Sequence, residues 1–338
     1  DTSSYGLYVP AATASASVTA LVAHPGATVS FIPDASPVLA EGNNTVTVRV
    51  TAEDGTTVRD YTITICRLGA AHASAAIGLL PYVPAGTFQR DGNPANTSSV
   101  APFRMSATEI TRAQFTAVTG LPDPSSTGNS TGVDNPVQRV NRYHALVFCN
   151  RLSLLEGLTP VYAVGGSTNP DDWGTVPTNN NETWNAAGVD FAADGYRLPT
   201  EMEWLWAAMG ANTGGDPATV NTIGRSLPFA GSSGGNTIGD CVWYTDNSTS
   251  TTHPAGSKDP NTLGLYDMSG NVWEWCHDRM GGWPAGPLVD WRGPDSGTPR
   301  VVRGGAWSVP ASACTLGTRE SVNPQHVNFD VGFRVVRP

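Results

Sequence analysis

The chain has 338 residues, which is long enough for two domains, and it contains few charged residues. Only 14% of its residues are Asp, Glu, Lys or Arg, and the formal net charge is −10. Because nucleic acids and anionic membranes attract clustered Lys and Arg, this balance argues against both as partners. No run approaches the roughly 20 apolar residues of a membrane-spanning helix. The abundance of Ser, Thr, Asn, Gly and Pro favours an extracellular binding protein with many turns.

Two adjacent runs in the first 66 residues predict a β-hairpin. Residues 45–51 (TVTVRVT) and 60–66 (DYTITIC) both alternate apolar and polar side chains, as half-buried strands do. Asp54 and Gly55 between them are typical of a hairpin turn. Two earlier runs, SVTALVA and ATVSFIP, predict two further strands. We therefore predict a small β-sandwich domain.

This N-terminal pattern resembles the cadherin-like or immunoglobulin-like sandwiches that precede bacterial surface domains. The resemblance implies that residues 1–66 act as a spacer or stalk. Residues 67–78 are rich in small side chains without strand alternation, so we predict a linker there. A second domain is then expected over residues 79–338. We expect a chain that begins at Asp1 to be a processed or trimmed form.

Three helices are predicted in the second domain. Two start with a capping box, in which a hydroxyl and a side chain three residues later bond the first free amides; these are Thr111 with Gln114 and Thr200 with Glu203. Asn141 is expected to cap the third helix. The apolar face of this third helix is expected to comprise Leu146, Phe148, Cys149, Leu152 and Leu155.

The cysteines and histidines show no spacing of a catalytic or metal site. We expect the five cysteines to be small buried apolar side chains rather than disulfides. They are Cys66, Cys149, Cys241, Cys276 and Cys314. The six histidines are scattered, and HExxH, P-loop and GxGxxG motifs are absent. An enzyme is therefore not favoured by these signals.

Five motifs follow one another along the second domain. They are PAGTFQ (84–89), TEITRAQFTAVTG (108–120), GYRLPTEMEWLWAA (195–208), GLYDMSGNVWEWCHD (264–278) and VVRGGAW with the later GFRVV (301–336). Together they resemble the formylglycine-generating enzyme (sulfatase-modifying factor) family, a branch of the C-type lectin fold. The resemblance implies an α+β domain with much irregular loop, which accounts for the long polar stretches at 165–194 and 210–261.

The same resemblance shows where the chain departs from the chemistry of the family. Oxygen-dependent members carry two cysteines, five positions apart after Gly-Gly, that bind copper. Here Cys314 occupies the second position, but Val309 occupies the first. A lone thiol cannot give Cu(I) its two soft ligands or cycle through an intramolecular disulfide. We expect neither copper nor catalysis; the alternative is a thiol- or metal-dependent oxidase that pairs Cys314 with another thiol.

A structural calcium site is implied by the family at the loop that enters GNVWEW. Carried over by position, its ligands are Asp267 and Glu274 through their side chains, and Gly270 and Val272 through their carbonyls. Oxygen ligands from a loop suit Ca²⁺, which accepts irregular geometry. The alternative is that Glu274 bonds loop amides without calcium. Trp273, Trp275 and Trp307 are expected to be core residues rather than sugar-stacking ones, with their N–H groups bonded to loop carbonyls.

Residues 308–330 have no amphipathic period, and they resemble the variable region of diversity-generating retroelement proteins such as the treponemal variable lipoprotein group. Those systems mutate adenines in AAC or AAT codons, which limits the side chains that can appear. Ten residues here belong to that set: Ser308, Val309, Pro310, Ser312, Ala313, Thr318, Val322, His326, Phe329 and Asp330. We call these the ten exchangeable residues. A fixed frame would comprise Trp307, Cys314, Arg319, Gly332 and Arg334, and Glu320 and Gln325 lie outside the reachable set.

The sequence thus predicts a non-catalytic binding protein whose C-terminal variable region (about 301–338) recognises a protein or glycan on another cell or host. Val309, His326 and Phe329 are the expected anchors. We expect it on the outer face of a bacterial cell, lipid-anchored through a segment outside this chain. The alternatives are a diverged binding domain without a retroelement, and a structural shell protein.

Overall fold

A computed structural model describes residues 3–211 and 216–338, and its N-terminal unit is a single four-stranded sheet. The strands are β1 (Ser4–Val9), β2 (Thr28–Ile32), β3 (Gly42–Thr51) and β4 (Val58–Arg67). Their order is β1-β4-β3-β2, with β1 parallel to β4 and the other pairs antiparallel. The predicted hairpin turn is confirmed, because the Asp54 carboxylate accepts the N–H groups of Thr56 and Thr57 at 2.8 Å.

One of the two earlier predicted strands does not form. ATVSFIP supplies β2, but residues 17–23 (SVTALVA) join no sheet within the described part of the chain, so that prediction is wrong. Val18 instead donates its N–H to the carbonyl of Ala35 at 2.7 Å. Residues 18–24 line an apolar groove of about 580 Å³ together with sheet residues such as Val48 and Ile63. An extended segment that packs on a sheet shows the same alternation as a strand within one.

The second domain contains many short strands. They are β5 (His72–Ser74), β6 (Gly78–Leu80), β7 (Tyr82–Val83), β8 (Gly86–Gln89), β9 (Thr97–Val100), β10 (Phe103–Met105), β11 (Tyr162–Ala163), β12 (Gly188–Val189), β13 (Trp273–Arg279), β14 (Leu288–Val289), β15 (Arg300–Arg303), β16 (Arg319–Val322), β17 (Val331–Gly332) and β18 (Val336–Arg337). Among the described residues, the largest sheet of this domain has the order β16-β15-β13-β17. It carries the GNVWEW motif and the C-terminal segment.

Part of the predicted linker belongs to the packed structure. Strand β5 pairs with β6, and Ser74 donates its hydroxyl to Glu156 at 2.5 Å while His72 lies 3.3 Å from the same carboxylate. The segment 67–78, predicted as a linker, therefore contains the short strand β5 and is packed against the helix Arg142–Leu155 from His72 onward. Small residues suit a tight hairpin as well as a linker, so composition did not distinguish the two.

The described helices are α1 (Arg112–Thr119), α2 (Arg142–Leu155), α3 (Glu182–Asn185), α4 (Glu201–Ala208) and α5 (Ile238–Cys241), with 3₁₀ turns at Pro170–Asp172, Gly224–Ser226 and Ala311–Ala313. Both predicted capping boxes form, and Asn141 caps α2 by accepting the N–H of His144. Four residues of the predicted α2 face are buried, but Leu155 in the last turn is 65% exposed and does not belong to it.

Helix α4 anchors the core through two tryptophans that point in different directions. Trp204 donates its indole N–H to Glu274 at 2.7 Å, and Trp206 donates its own to the carbonyl of Pro84 at 2.8 Å. Both side chains are fully buried. Residues two apart on a helix do not share a face, so α4 is packed on opposite sides.

All five cysteines are buried and free, as predicted. No helix in residues 3–211 or 216–338 is both long and apolar enough to span a bilayer.

Candidate functional site

Strand β13 is the scaffold of the C-terminal surface. It pairs antiparallel with β15 and parallel with β17, so the chain before and after residues 308–330 is held on the same buried strand. The glycine of the preceding turn, Gly270, has φ of 84°, and an added Cβ would lie 2.3 Å from the carbonyl oxygen of Trp243. This position therefore requires glycine, because any side chain would collide with the backbone.

Glu274 joins β13 to the final GFRVV segment through a buried ion pair. Its carboxylate accepts two bonds from the Arg334 guanidinium at 2.7 Å and a third from the Trp204 indole. Both charged side chains are 0% exposed. A bidentate, fully bonded pair of this kind holds its two segments in one register. Glu274 and Arg334 thus fix the base on which the variable region is mounted.

The proposed calcium ligands fit the structure only in part. Asp267 is buried, one oxygen accepts the Gly256 N–H at 2.7 Å, and its Oδ1 has no partner. Glu274, in contrast, presents no free oxygen to a cation. Among the described residues, no group of three or more His, Cys, Asp or Glu side chains is placed to hold a metal. These donors do not fit a calcium ion held by Glu274, and calcium bound through Asp267, Gly270 and Val272 stays a prediction.

A carboxylate that sequence reasoning missed lies beside this loop. Glu109 is fully buried and accepts the Val272 N–H at 3.0 Å and the Asn271 side chain at 2.8 Å. Burial, reinforced by the charge of Asp267, raises the pKa of Glu109 well above its ordinary value. Burial also raises the pKa of Asp267 to about 6. Glu109 belongs to the TEIT motif, but its spacing does not show that it faces GNVWEW.

The ten exchangeable residues all lie on the outside of this scaffold. None is buried: Pro310, Ser312, His326 and Phe329 are exposed, and the other six are partly exposed. Frame residues between and around them are buried, including Trp307, Cys314, Gly332 and Arg334. Arg319 is partly exposed and bonds Glu201 through two nitrogens at 2.6 and 2.7 Å. Within residues 308–330 the ten exchangeable side chains are accessible, whereas Cys314, Leu316 and Pro324 are buried and Arg319 is paired.

Three of the exchangeable residues lie on or next to Trp307. The ring of Phe329 lies 5.7 Å from the Trp307 ring, and Ser308 donates its hydroxyl to Asp330 at 2.6 Å. Trp307 is only 6% exposed, yet its indole N–H has no partner among the described residues. The expectation of a bonded carbonyl is therefore wrong for Trp307, although it is confirmed for Trp275, which donates to Val140 at 3.0 Å.

Other exchangeable residues occupy the turn that follows. Pro310 and Ala313 are the ends of one 3₁₀ turn, joined by a bond of 2.9 Å from the Ala313 N–H to the Pro310 carbonyl. Thr318 donates to the carbonyl of Ser312 at 3.5 Å. Val322 lies on β16 opposite Arg300, and it packs against the core, as Val309 does. These two valines are therefore partly exposed and also contribute to the packing of the core.

Cys314 is a buried structural thiol in this arrangement. It is 0% exposed, its sulfur lies 3.9 Å from the carbonyl of Ala306, and burial raises its pKa to about 12. Val309, at the position of the first family cysteine, packs in the same apolar cluster. Burial and the raised pKa disfavour the thiolate form of Cys314, which is the reactive form of cysteine.

Residues 79–338 match the family model described as a sulfatase-modifying factor enzyme 1-like domain. The chain belongs to this family. Residues 1–68 match a cadherin-like beta sandwich domain. The fold class, a lectin-type α+β domain preceded by a small β domain, is thereby confirmed.

Three similar proteins span different shares of the chain. Treponema denticola variable protein 1 has a solved structure that superposes with a TM-score of 0.67 at 33% identity, over 80% of this chain and 99% of that one. The "Chaperone protein LppX" of Paenibacillus barcinonensis is 30% identical over 76% of this chain and 89% of its own length. The formylglycine-generating enzyme of Streptomyces coelicolor is 35% identical, over 45% of this chain and half of its own length.

Proposed function

We propose that this protein is a non-catalytic receptor that binds a protein or glycan ligand through the ten exchangeable residues. One observation carries the proposal: all ten exchangeable residues are at least partly exposed, while the frame residues Trp307, Cys314, Gly332 and Arg334 beside them are buried. Such a segment can change its outer side chains without changing the fold beneath them. The similarity to Treponema denticola variable protein 1, which extends over nearly all of that chain, supports this function.

The surroundings of Trp307 supply the chemistry of an anchor. Phe329 is 49% exposed and its ring lies 5.7 Å from that of Trp307, whose buried indole N–H has no partner among the described residues. An unmade bond of a buried donor costs about 1–3 kcal/mol, and a ligand oxygen that reached it would recover that cost. Phe329 and Val309 would contribute apolar contact, while Ser308 and Asp330 would add polar contacts. A central aromatic anchor with polar neighbours is typical of protein interfaces.

The absence of catalysis is part of the proposal. The only family cysteine position that holds a thiol is Cys314, and that thiol is enclosed and protonated. The alternative is an oxidase like the Streptomyces formylglycine-generating enzyme, with which this chain shares 35% identity over part of its length. Copper titration followed by oxygen consumption and conversion of a sulfatase-type peptide distinguishes the two. Turnover by the wild-type protein would refute the binding function as stated.

We also place the protein on the outer face of a bacterial cell, lipid-anchored, with the N-terminal domain as a spacer. A low content of charged residues and the cadherin-like β domain support this location. Surface labelling of intact cells with an antibody against residues 308–330 tests it. Protection of the epitope until the cells are lysed would contradict it.

Arrays of glycans and host cell-surface proteins test the ligand-binding function directly. The wild-type protein is compared with a triple variant, Val309→Ser, His326→Ser and Phe329→Ser, at equal folded concentration. We expect the variant to lose the signals of the wild type. A matched control, Asp259→Asn with Arg292→Gln, changes exposed residues outside 308–330 and should keep the signals of the wild type. Equal binding by the triple variant would show that another surface is responsible.

Diversification is a separate proposal with its own test. DNA near the gene should contain a near-copy of the codons for residues 301–338, with adenines at the exchangeable positions, beside a reverse transcriptase gene. In sister strains the codons for Glu320 and Gln325 should not vary, because these residues lie outside the reachable set. Substitution at these two positions as frequent as at Phe329 would contradict the retroelement.

A further inference from the structure

Three arginines of the lectin-type domain, Arg142, Arg279 and Arg300, influence one another electrostatically and have no acidic partner in residues 3–211 and 216–338. Arg279 ends β13 and Arg300 begins β15, and the two are direct partners across the strand pair. Arg142, the first residue of α2, lowers the pKa of Arg300 by its charge, as Arg279 does. None of the three lies within 4 Å of a carboxylate among the described residues. Like charges placed opposite each other on a sheet are destabilising, so the arrangement needs a compensating charge.

The hydrogen-bonding capacity of these arginines is largely unused. Arg142 is 1% exposed and Arg300 4% exposed, yet Nε and Nη1 of Arg142 and Nε of Arg300 have no partner within residues 3–211 and 216–338. The remaining nitrogens of Arg300 reach only the main-chain carbonyls of His277 at 3.0 Å and Asn185 at 3.3 Å. Buried guanidinium groups are normally paired and bonded, because an isolated buried charge is expensive.

The protein itself does not neutralise this cluster. Burial, with the charges of Arg142 and Arg279, lowers the pKa of Arg300 to about 8. The buried carboxylate of Asp278 acts on Arg300 from a distance, but it accepts the Glu201 N–H at 2.7 Å instead of pairing with the arginine. Burial and the same arginines lower the pKa of His277, which keeps it neutral at pH 7. Unpaired positive charge is thus concentrated in a chain whose net charge is −10.

A pocket of about 200 Å³ opens onto Arg279 and Arg300. Its wall also includes the loop 295–298, where Ser296 and Thr298 carry hydroxyl groups. Two carboxylates, Glu182 and Asp295, lie on the exposed part of this wall. Neither carboxylate forms an ion pair with Arg279 or Arg300 in the described part of the chain.

We propose that Arg279 and Arg300 bind a sulfate or phosphate group in this pocket. A tetrahedral oxyanion carries one to two negative charges and several acceptor oxygens, which match two guanidinium forks better than a single carboxylate does. Arg142 adds charge from behind, and the hydroxyls of Ser296 and Thr298 are available as further donors. Binding would satisfy the free Nε of Arg300 and remove the repulsion between Arg279 and Arg300.

The site borders the variable region but does not depend on its function. Arg300 lies opposite Val322 in the β15–β16 pair, and the Arg142 N–H donates to the carbonyl of Pro324 at 2.9 Å. The anion would therefore either stabilise the base of this segment as a free ion, or belong to a sulfated or phosphorylated ligand that reaches past it. Both sources share the same oxyanion chemistry.

Isothermal titration of sodium sulfate and sodium phosphate into the full chain, with NaCl at matched ionic strength as the reference, tests the site. We expect saturable 1:1 binding by wild type, and binding at least 10-fold weaker for Arg279→Gln. Arg292→Gln makes the same charge change on an exposed arginine outside the pocket, and its affinity should stay within 2-fold of wild type. Arg279 is only half buried, so its variant is informative even if Arg300→Gln fails to fold.

Two further readouts complete the experiment. In buffer free of sulfate and phosphate, Arg279→Gln should melt no lower than wild type, because it removes a repulsion rather than a bond. Glucose 6-sulfate and glucose 6-phosphate identify the source: tighter binding than the inorganic ions assigns the site to a larger ligand, and equal or weaker binding assigns it to a free ion. No saturable binding beyond the NaCl reference, or unchanged affinity in Arg279→Gln, would overturn the proposal.

Discussion

Replacing Phe329 and Phe333 separately by alanine compares the proposed binding face with the core four residues away. Phe333 is 0% exposed and packs edge-to-face on Phe148 with ring centroids 5.2 Å apart, so its truncation should cost ~3–5 kcal/mol. Phe329 is 49% exposed. Full burial of such a side chain is worth ~1.5–3 kcal/mol, so its truncation should cost only about 1 kcal/mol.

Thermal unfolding followed by circular dichroism measures this difference. At roughly 2–4 °C per kcal/mol for a domain of this size, Phe329→Ala should lower the melting temperature of the lectin-type domain by about 2–4 °C. Phe333→Ala should lower it by at least about 6 °C. Trp307→Ala, which removes a buried indole, should behave like Phe333→Ala. The N-terminal unit can melt separately, so the transition must be assigned with the isolated second domain.

Equal losses for Phe329→Ala and Phe333→Ala would refute the reasoning. That result would make residues 308–330 part of the core, and the exchangeable positions could not vary freely. Because Val309 and Val322 also pack against the core, their replacement by Ser is expected to cost more than that of the exposed His326.

Two further predictions concern the buried charges beneath this face. Glu274→Gln should lower the free energy of unfolding, measured by urea titration, by about 3–5 kcal/mol, because it leaves Arg334 charged and buried without a partner charge. A loss under about 1 kcal/mol would show that the ion pair is dispensable for stability. Burial raises the pKa of Asp267 from 3.8 to about 6. The folded state therefore binds this proton more tightly than the unfolded chain does. The resulting stabilisation of the folded state is complete below about pH 4 and is lost as the pH rises through 6. Asp267→Asn should reduce this pH dependence of stability. Calcium at pH 7 should raise the melting temperature of the wild type but not of Asp267→Asn. Unchanged melting in EDTA, with no metal found by elemental analysis, would refute the calcium site.

Local signals were sufficient for features that depend on neighbouring residues. Asp54 and Gly55 specify a tight turn by themselves. The capping box of Thr200 and Glu203 involves only residues in the first turn of a helix. The five motifs and their order along the chain were sufficient to identify the family. The departure at Val309 could also be predicted, since it requires only a count from the preceding glycines.

Tertiary structure decided what depends on distant partners. Residues 17–23 alternate like a strand, but in the folded chain Val18 bonds Ala35 and the segment lines a groove beside the sheet without joining it. Glu274 could be read as a calcium ligand from its motif. Only the packed fold brings Arg334, sixty residues later, against both of its oxygens.

The same distinction applies to the surface of residues 308–330 and the arginines beside it. Residue types identified the ten exchangeable residues, but only packing could show which are exposed, because the segment has no period. Arg142, Arg279 and Arg300 are separated by up to 158 positions and share no motif. Their shared electrostatic environment follows from the β13–β15 register and the start of α2, which bring unpaired positive charges together because the surrounding fold supplies no acid within pairing distance.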